Sequence, residues 1–145
     1  MTVDTPAQFL PHGAAMVYVQ SVLACTADSC SCVARFATDN PFARRGRVRS
    51  YITVEAAAQA IAIHEGLNEV TADGAEDNAS SRSKIGYLVA LSDLELHQAH
   101  VPVDCDFEIA VQRNASVPGL AVYEIHVAVD GNPVATASLK TFRAP

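Results

Sequence analysis

Tyr51-Ile52-Thr53-Val54-Glu55-Ala56-Ala57-Ala58-Gln59-Ala60-Ile61-Ala62-Ile63 is the stretch that decides the fold. Nearly every position is apolar, which fits neither the alternation of a half-buried strand nor the single stripe of a surface helix. It reads as a helix wrapped by other structure, its waist kept thin by Ala56, Ala57, Ala58, Ala60 and Ala62. One carboxylate, Glu55, interrupts it. Charged side chains are seldom buried without a partner, and no Lys or Arg stands at helical spacing from Glu55, so the acid points to function. Gln59, one turn on, shares its face. Ser50 is the expected N-cap, and the helix is expected to reach about Glu65 and stop at Gly66.

Outward from this helix the signals are those of strands. Met16 to Leu23 and Cys32 to Phe36 predict a hairpin, turning at Thr26-Ala27-Asp28-Ser29. Asp39 to Arg47 is broken by Pro41 and Gly46 and reads as irregular. Asn68 to Ser83 is polar without periodicity and predicts a mobile surface loop. Four further strands are expected at Ile85 to Leu96, Val103 to Val111, Leu120 to Val129 and Val134 to Phe142. The last two meet at Asp130-Gly131, a favoured type I′ turn pair. Strands segregated around one long helix predict an antiparallel α+β domain spanning 1–145, not a βαβ succession.

Composition narrows the function. A net charge of −6 and a pI near 5.2 oppose nucleic-acid binding, which needs a basic face. No apolar run reaches the roughly 18 residues of a spanning helix, and Met1-Thr2-Val3-Asp4 does not open a signal peptide. The cytoplasm is the expected compartment. Cys25, Cys30, Cys32 and Cys105 are open to reading as two disulfides or part of a metal site. The expectation is reduced, buried thiols, with Cys30 and Cys32 on one side of a strand. His97 and His100 form a His-x-x-His pair, but without a carboxylate or Cys at ligand spacing no metal is expected. His64 follows Glu55 by nine residues, about half a turn round the helix, so a structural role is expected for it.

Two motifs give a family resemblance. Leu10-Pro11-His12-Gly13-Ala14-Ala15-Met16 is similar to the Leu-Pro-His-Arg-x-Pro-Phe/Met segment of the β-hydroxyacyl-[acyl carrier protein] dehydratases, and Val54-Glu55-Ala56-Ala57-Ala58-Gln59-Ala60 to their Glu-Ala-x-Ala-Gln helix signature. Val129-Asp130-Gly131-Asn132-Pro133-Val134-Ala135 resembles their closing Val-Asp-Gly hairpin, and the branch it most resembles is the dehydratase-like proteins of aryl-polyene type lipid pathways. The resemblance implies a hot-dog fold, a curled antiparallel sheet of five to six strands around one central helix. It also implies a homodimer, or a heterodimer with a related hot-dog subunit. The implied substrate is a β-hydroxyacyl thioester on the phosphopantetheine of an acyl carrier protein or on coenzyme A, with no other cofactor.

One departure stands out. The family's catalytic His belongs to a His-Phe-Pro-Gly segment fourteen residues ahead of the helix carboxylate, where this chain has Pro41. No His lies between His12 and Glu55. Three arrangements fit: His12 supplies the imidazole, a partner chain supplies it, or the chain is a non-catalytic acyl-binding subunit. A thioesterase in which Glu55 activates water is a further alternative.

Dehydration needs a base for the α-proton, an acid for the leaving hydroxide, and an oxyanion hole. His12 and Glu55 are the expected pair. Burial in a dry tunnel raises a carboxyl pKa by up to roughly 3 to 5 units, against about 0.3 to 1 kcal/mol toward the anion from a helix N-terminus. Gln59 is expected to orient the Glu55 carboxyl through its amide and so help to position substrate. Arg44, Arg45, Arg47 and Arg49 are four of the ten basic residues in an acidic chain. Such a run is ordinarily a solvated loop. Here it is also a candidate carrier-binding patch, because guanidinium forks pair bidentately with phosphate.

Overall fold

The computed structural model describes residues 16–72 and 86–143. In chain order the elements are β1 (Val19–Cys25), β2 (Ser29–Arg35), β3 (Arg47–Arg49), a 3₁₀ turn (Ser50–Ile52), α1 (Thr53–Ala72), β4 (Gly86–Leu96), β5 (His100–Pro102), β6 (Asp106–Val117), β7 (Leu120–Val129) and β8 (Asn132–Arg143). Six strands form one antiparallel sheet in the order β1-β2-β6-β7-β8-β4, which is open, with β1 and β4 at its edges. A separate ribbon pairs β3 with β5. The helix packs chiefly on β2, β6 and β7. This is the hot-dog arrangement of one helix on a curled sheet.

The pattern that makes it is strict alternation. Phe107, Ile109 and Val111 of β6, and Tyr123, Ile125 and Val127 of β7, point inward and are buried, while Glu108, Ala110 and Glu124 between them face out. Against them the helix sets Ala56, Ala57, Ala60, Ile61 and Ile63, all buried. No residue from Thr53 to Glu69 is fully exposed, in keeping with a helix apolar nearly all round. Asp130 and Gly131 both take positive φ, 49° and 78°, as a type I′ turn requires, and β8 begins immediately after them.

Four expectations are corrected. The helix does not stop at Gly66; it continues to Ala72. A mid-helix glycine costs about 1 kcal/mol against alanine. Contacts beyond propensity offset this: Asn68 Nδ2 donates to the Ala27 carbonyl at 3.1 Å, Leu67 packs on the core, and Thr141 Oγ1 donates to Glu65 Oε1 at 2.9 Å. Ser50 does not cap α1 with its hydroxyl. It opens the 3₁₀ turn, its carbonyl accepts from Thr53 Oγ1 at 2.6 Å, and its own Oγ has no partner among the described residues.

The cysteines are not all reduced. Strand β2 begins at Ser29 instead of Cys32, so Cys30 stands directly opposite Cys25 in the hairpin register, and the two are joined as a disulfide. Cys32 is a buried free thiol on the same face as Cys30, its pKa pushed up to about 11 by burial; Cys105 is also free. The loop expected over Asn68 to Ser83 becomes helix as far as Ala72, and its remainder lies outside the described residues.

Candidate functional site

Glu55 occupies the first turn of α1 and is half-buried, not enclosed. Gln59 is fully buried one turn on, and its amide serves the backbone that leads into β1. Its Oε1 accepts from the Tyr18 N–H at 2.8 Å and from the Val19 N–H at 3.4 Å, while Nε2 donates to the Met16 carbonyl at 2.6 Å. This anchoring of backbone is a role that the sequence reading did not assign to the amide. Gln59 pins residues 16–19 to the helix. His12 lies outside the described residues, four positions ahead of that anchor.

The same anchor places Tyr18, which sequence reading did not single out. Its ring is buried and packs edge-on to Phe36, with centroids 4.9 Å apart and planes at 82°. Its phenol pKa is raised, first by burial, against the opposing hydrogen bond from the Asn40 side chain, and further by the negative charge of Glu55. Tyr18, Asn40 and Glu55 thus share one electrostatic neighbourhood. Asn40 is itself buried, its Oδ1 accepting from the Phe42 N–H at 2.8 Å in a local side-chain turn. Pro41, at the family's histidine position, is exposed. A cleft of ≈ 640 Å³ opens here, with Tyr18, Asn40, Pro41, Val17 and Gln20 among its lining. The available signal for this group was Asn40 next to the displaced histidine position; Tyr18 left none.

Arg44, Arg45, Arg47 and Arg49 are brought together. Arg45 and Gly46 form a two-residue turn with φ of 56° and 74°, closed by the backbone pairing of Arg44 with Arg47. In β3 Val48 is buried while Arg47 and Arg49 face out, and Arg49 lies opposite His100 of β5. The four arginines line a pocket of ≈ 380 Å³ with His100, Phe42 and Tyr51. The His-x-x-His pair is split: His100 stands there, its pKa lowered by partial desolvation and by the Arg47 and Arg49 charges, while exposed His97 approaches Glu95 at 3.9 Å. Among the described residues no three His, Cys, Asp or Glu side chains gather as a metal would require.

His64 takes the structural role expected of it. The Thr26 carbonyl, 2.9 Å from Nε2, can only accept, so Nε2 carries the proton and Nδ1 accepts from the Tyr123 hydroxyl at 2.8 Å. Burial is the main cause that lowers its pKa, partly opposed by the Thr26 carbonyl. A histidine with a depressed folded pKa contributes stability that is present above its unfolded value of about 6.5 and lost as pH falls through the folded one. Urea midpoints of the wild type are expected to drop between pH 7 and pH 5. In His64→Gln that part of the drop disappears, and an unchanged slope would refute the assignment.

The sequence profile of the ApeP-like family, described as ApeP dehydratase, matches residues 4–145. No curated protein matches the sequence. Among solved structures, the dehydratase heterocomplex ApeI:P from Xenorhabdus doucetiae superimposes with a TM-score of 0.83 at 19% identity, covering 97% of this chain and 91% of that one. A hypothetical thioesterase with coenzyme A from Streptococcus pneumoniae gives a TM-score of 0.57 at 10% identity, over 85% of this chain and 84% of its own. The PaaI protein of the E. coli phenylacetic acid degradation operon gives 0.61 at 11% identity, over 86% and 78%. These likenesses establish the fold; the profile, spanning nearly the whole chain, establishes that the chain belongs to the ApeP-like family of dehydratases.

Proposed function

We propose that this chain dehydrates β-hydroxyacyl thioesters carried by an acyl carrier protein in polyene-type lipid biosynthesis, with Glu55 and His12 as its acid and base. The family match carries the reading. In the step proposed, the His12 imidazole takes the α-proton, the β-carbon to oxygen bond breaks, and the departing hydroxide leaves as water with the Glu55 proton. An enoyl thioester remains. Imidazole suits the first transfer because its pKa lies near neutrality. Glu55 is supported by its place in the first helical turn, beside the buried Tyr18 and Asn40. The compartment we infer is the cytoplasm, where the Cys25–Cys30 bridge faces reduction.

The working unit we infer is a dimer with a second hot-dog subunit, as the ApeI:P complex is a dehydratase heterocomplex. The edge strand β4 favours this. Leu88, Val89, Leu91, Leu94 and Leu96 are each between 39% and 54% exposed on that strand, an apolar edge that soluble proteins blunt or cover. Light scattering is expected to show a dimer, either of the chain alone or with its related subunit. Leu91→Lys should release monomers, and an assembly unaltered by that charge would place the interface elsewhere.

Incubation with a β-hydroxyacyl carrier, with and without the related subunit, tests the activity. Enoyl product is expected. Free acid would instead identify a thioesterase, and turnover that depends wholly on the partner's site would identify an acyl-binding subunit.

A further inference from the structure

The pocket beside the start of α1 is built like an anion site. A chain of net charge −6 collects four of its ten basic residues there, and no carboxylate is among the lining residues Pro41, Phe42, Arg44, Arg45, Arg47, Arg49, Tyr51, Ile52 and His100. The arrangement is held in place, not trailing in a loop. Val48 is buried between Arg47 and Arg49 and fixes both to one face of β3, which β5 pairs residue for residue. Arg44 Nη1 donates to the carbonyls of Pro41 at 3.0 Å and Ala43 at 2.7 Å, so its guanidinium is oriented from below. Arg45 holds a left-handed φ of 56°, a conformation in which non-glycine residues are uncommon.

Like charges gathered on one rigid surface repel, and the repulsion is relieved by an anion in their midst. Within a Debye length of about 10 Å at 0.1 M salt the four guanidinia act on such an anion together. Planar guanidinium forks match phosphate oxygens two at a time. The 20-residue helix α1 begins just beyond Tyr51 and Ile52, so the positive end of its dipole adds to the field. Phe42 and Tyr51, 47% and 52% exposed, supply apolar walls for the organic part of a ligand.

We propose that the pocket of Arg44, Arg45, Arg47, Arg49 and His100 is a phosphate-ester subsite that holds the phosphate of a pantetheine-borne substrate. This rests on the thioester reading above and names the residues that would recognise the arm. A phosphate here docks the arm beside the N-terminal end of the helix that carries Glu55. The same chemistry comes from a carrier's phosphopantetheine or from coenzyme A, and binding separates the two sources.

The experiment compares wild type with Arg47→Ala/Arg49→Ala and with Arg47→Lys/Arg49→Lys, in complex with the related subunit where one is needed. Calorimetry with holo-carrier, apo-carrier and coenzyme A is the first readout. Wild type is expected to bind a phosphopantetheine-bearing ligand at least about tenfold more tightly than apo-carrier, the worth of one charge-assisted bond. The alanine pair should lose that preference and the lysine pair keep part of it. Preference for holo-carrier assigns the phosphate to the carrier; tight binding of coenzyme A alone assigns it to the free coenzyme. Equal binding of holo- and apo-carrier together with no tight binding of coenzyme A would overturn the subsite, as would a preference surviving in the alanine pair. The second readout is turnover of carrier-bound substrate against an N-acetylcysteamine thioester, which lacks the phosphate. A rise in KM of about tenfold for the carrier substrate alone supports the subsite. Equal effects on both substrates overturn it. Absence of turnover with either substrate in wild type defeats the dehydratase reading instead, and leaves the binding result to decide the subsite.

Discussion

Glu55→Gln is expected to lower kcat by about 10²–10⁴-fold, the usual worth of a positioned acid or base, while the protein remains folded. The substitution keeps the shape and hydrogen-bonding reach of the side chain but removes the proton it would give to the leaving hydroxide. Because Glu55 is half-buried at the start of α1 and not enclosed in the core, a neutral amide there leaves the packing of Ala56, Ala57 and Ala60 undisturbed. His12→Ala should lose a comparable factor. The double variant should lose little more than either single one, since an acid and a base that serve one transition state fail together. Single-turnover dehydration of a β-hydroxyacyl carrier substrate measures all three. Full activity in Glu55→Gln would remove the acid assignment. Strict additivity would show that His12 and Glu55 do not act in one step.

Gln59→Leu is expected to cost about 2–4 kcal/mol of stability. The leucine fills the space, but the Tyr18 N–H and the Met16 carbonyl lose their amide partner, and a buried polar group left unpaired costs about 1–3 kcal/mol. Urea unfolding followed by circular dichroism gives the value. A loss under 0.5 kcal/mol, the scale of ordinary surface changes, would mean that the amide is not what holds residues 16–19 to the helix. Activity should fall as well, because the anchored backbone continues directly into the segment that carries His12. The two effects are separable: at concentrations of urea well below the midpoint the variant is folded, and any remaining deficit belongs to misplacement of that segment.

The parts of this architecture legible in the sequence are those set by short-range physics. Leu120 to Val129 is a strand with the bounds its alternation predicts, and Asp130-Gly131 turns as that dipeptide prefers. The central helix was visible because its apolar run is longer than a buried strand, the other element that is apolar on every side. What could not be read depends on contacts distant along the chain. Gly66 looks like a stop until Asn68, reaching Ala27, and Glu65, reaching Thr141, hold the helix beyond it. The short β3 needs β5, some fifty residues later, before its Arg-Val-Arg sequence becomes a strand at all. Cys25 and Cys30 face each other only once the hairpin register is known, and an error of three residues in the start of β2 hides the pair. The site divides in the same way. Glu55 announces itself as a charge out of place, whereas Tyr18 is an ordinary core aromatic in sequence and gains meaning only from Asn40 and Glu55 beside it.

The sheet order β1-β2-β6-β7-β8-β4 also sets a timetable. Strands β6, β7 and β8 form a meander of neighbouring hairpins, the kind of local pairing that assembles within microseconds. Three other elements lean on it directly, β2 on β6, β4 on β8, and α1 on β6 and β7, and β1 reaches it through β2. Yet this meander is translated after all of them. On the ribosome the apolar helix therefore emerges with only the β1–β2 hairpin to pack on, at synthesis rates of about 5–20 residues per second, and waits seconds for β6 and β7. Until those strands arrive, the helix face that turns toward β6 and β7 is apolar surface open to aggregation.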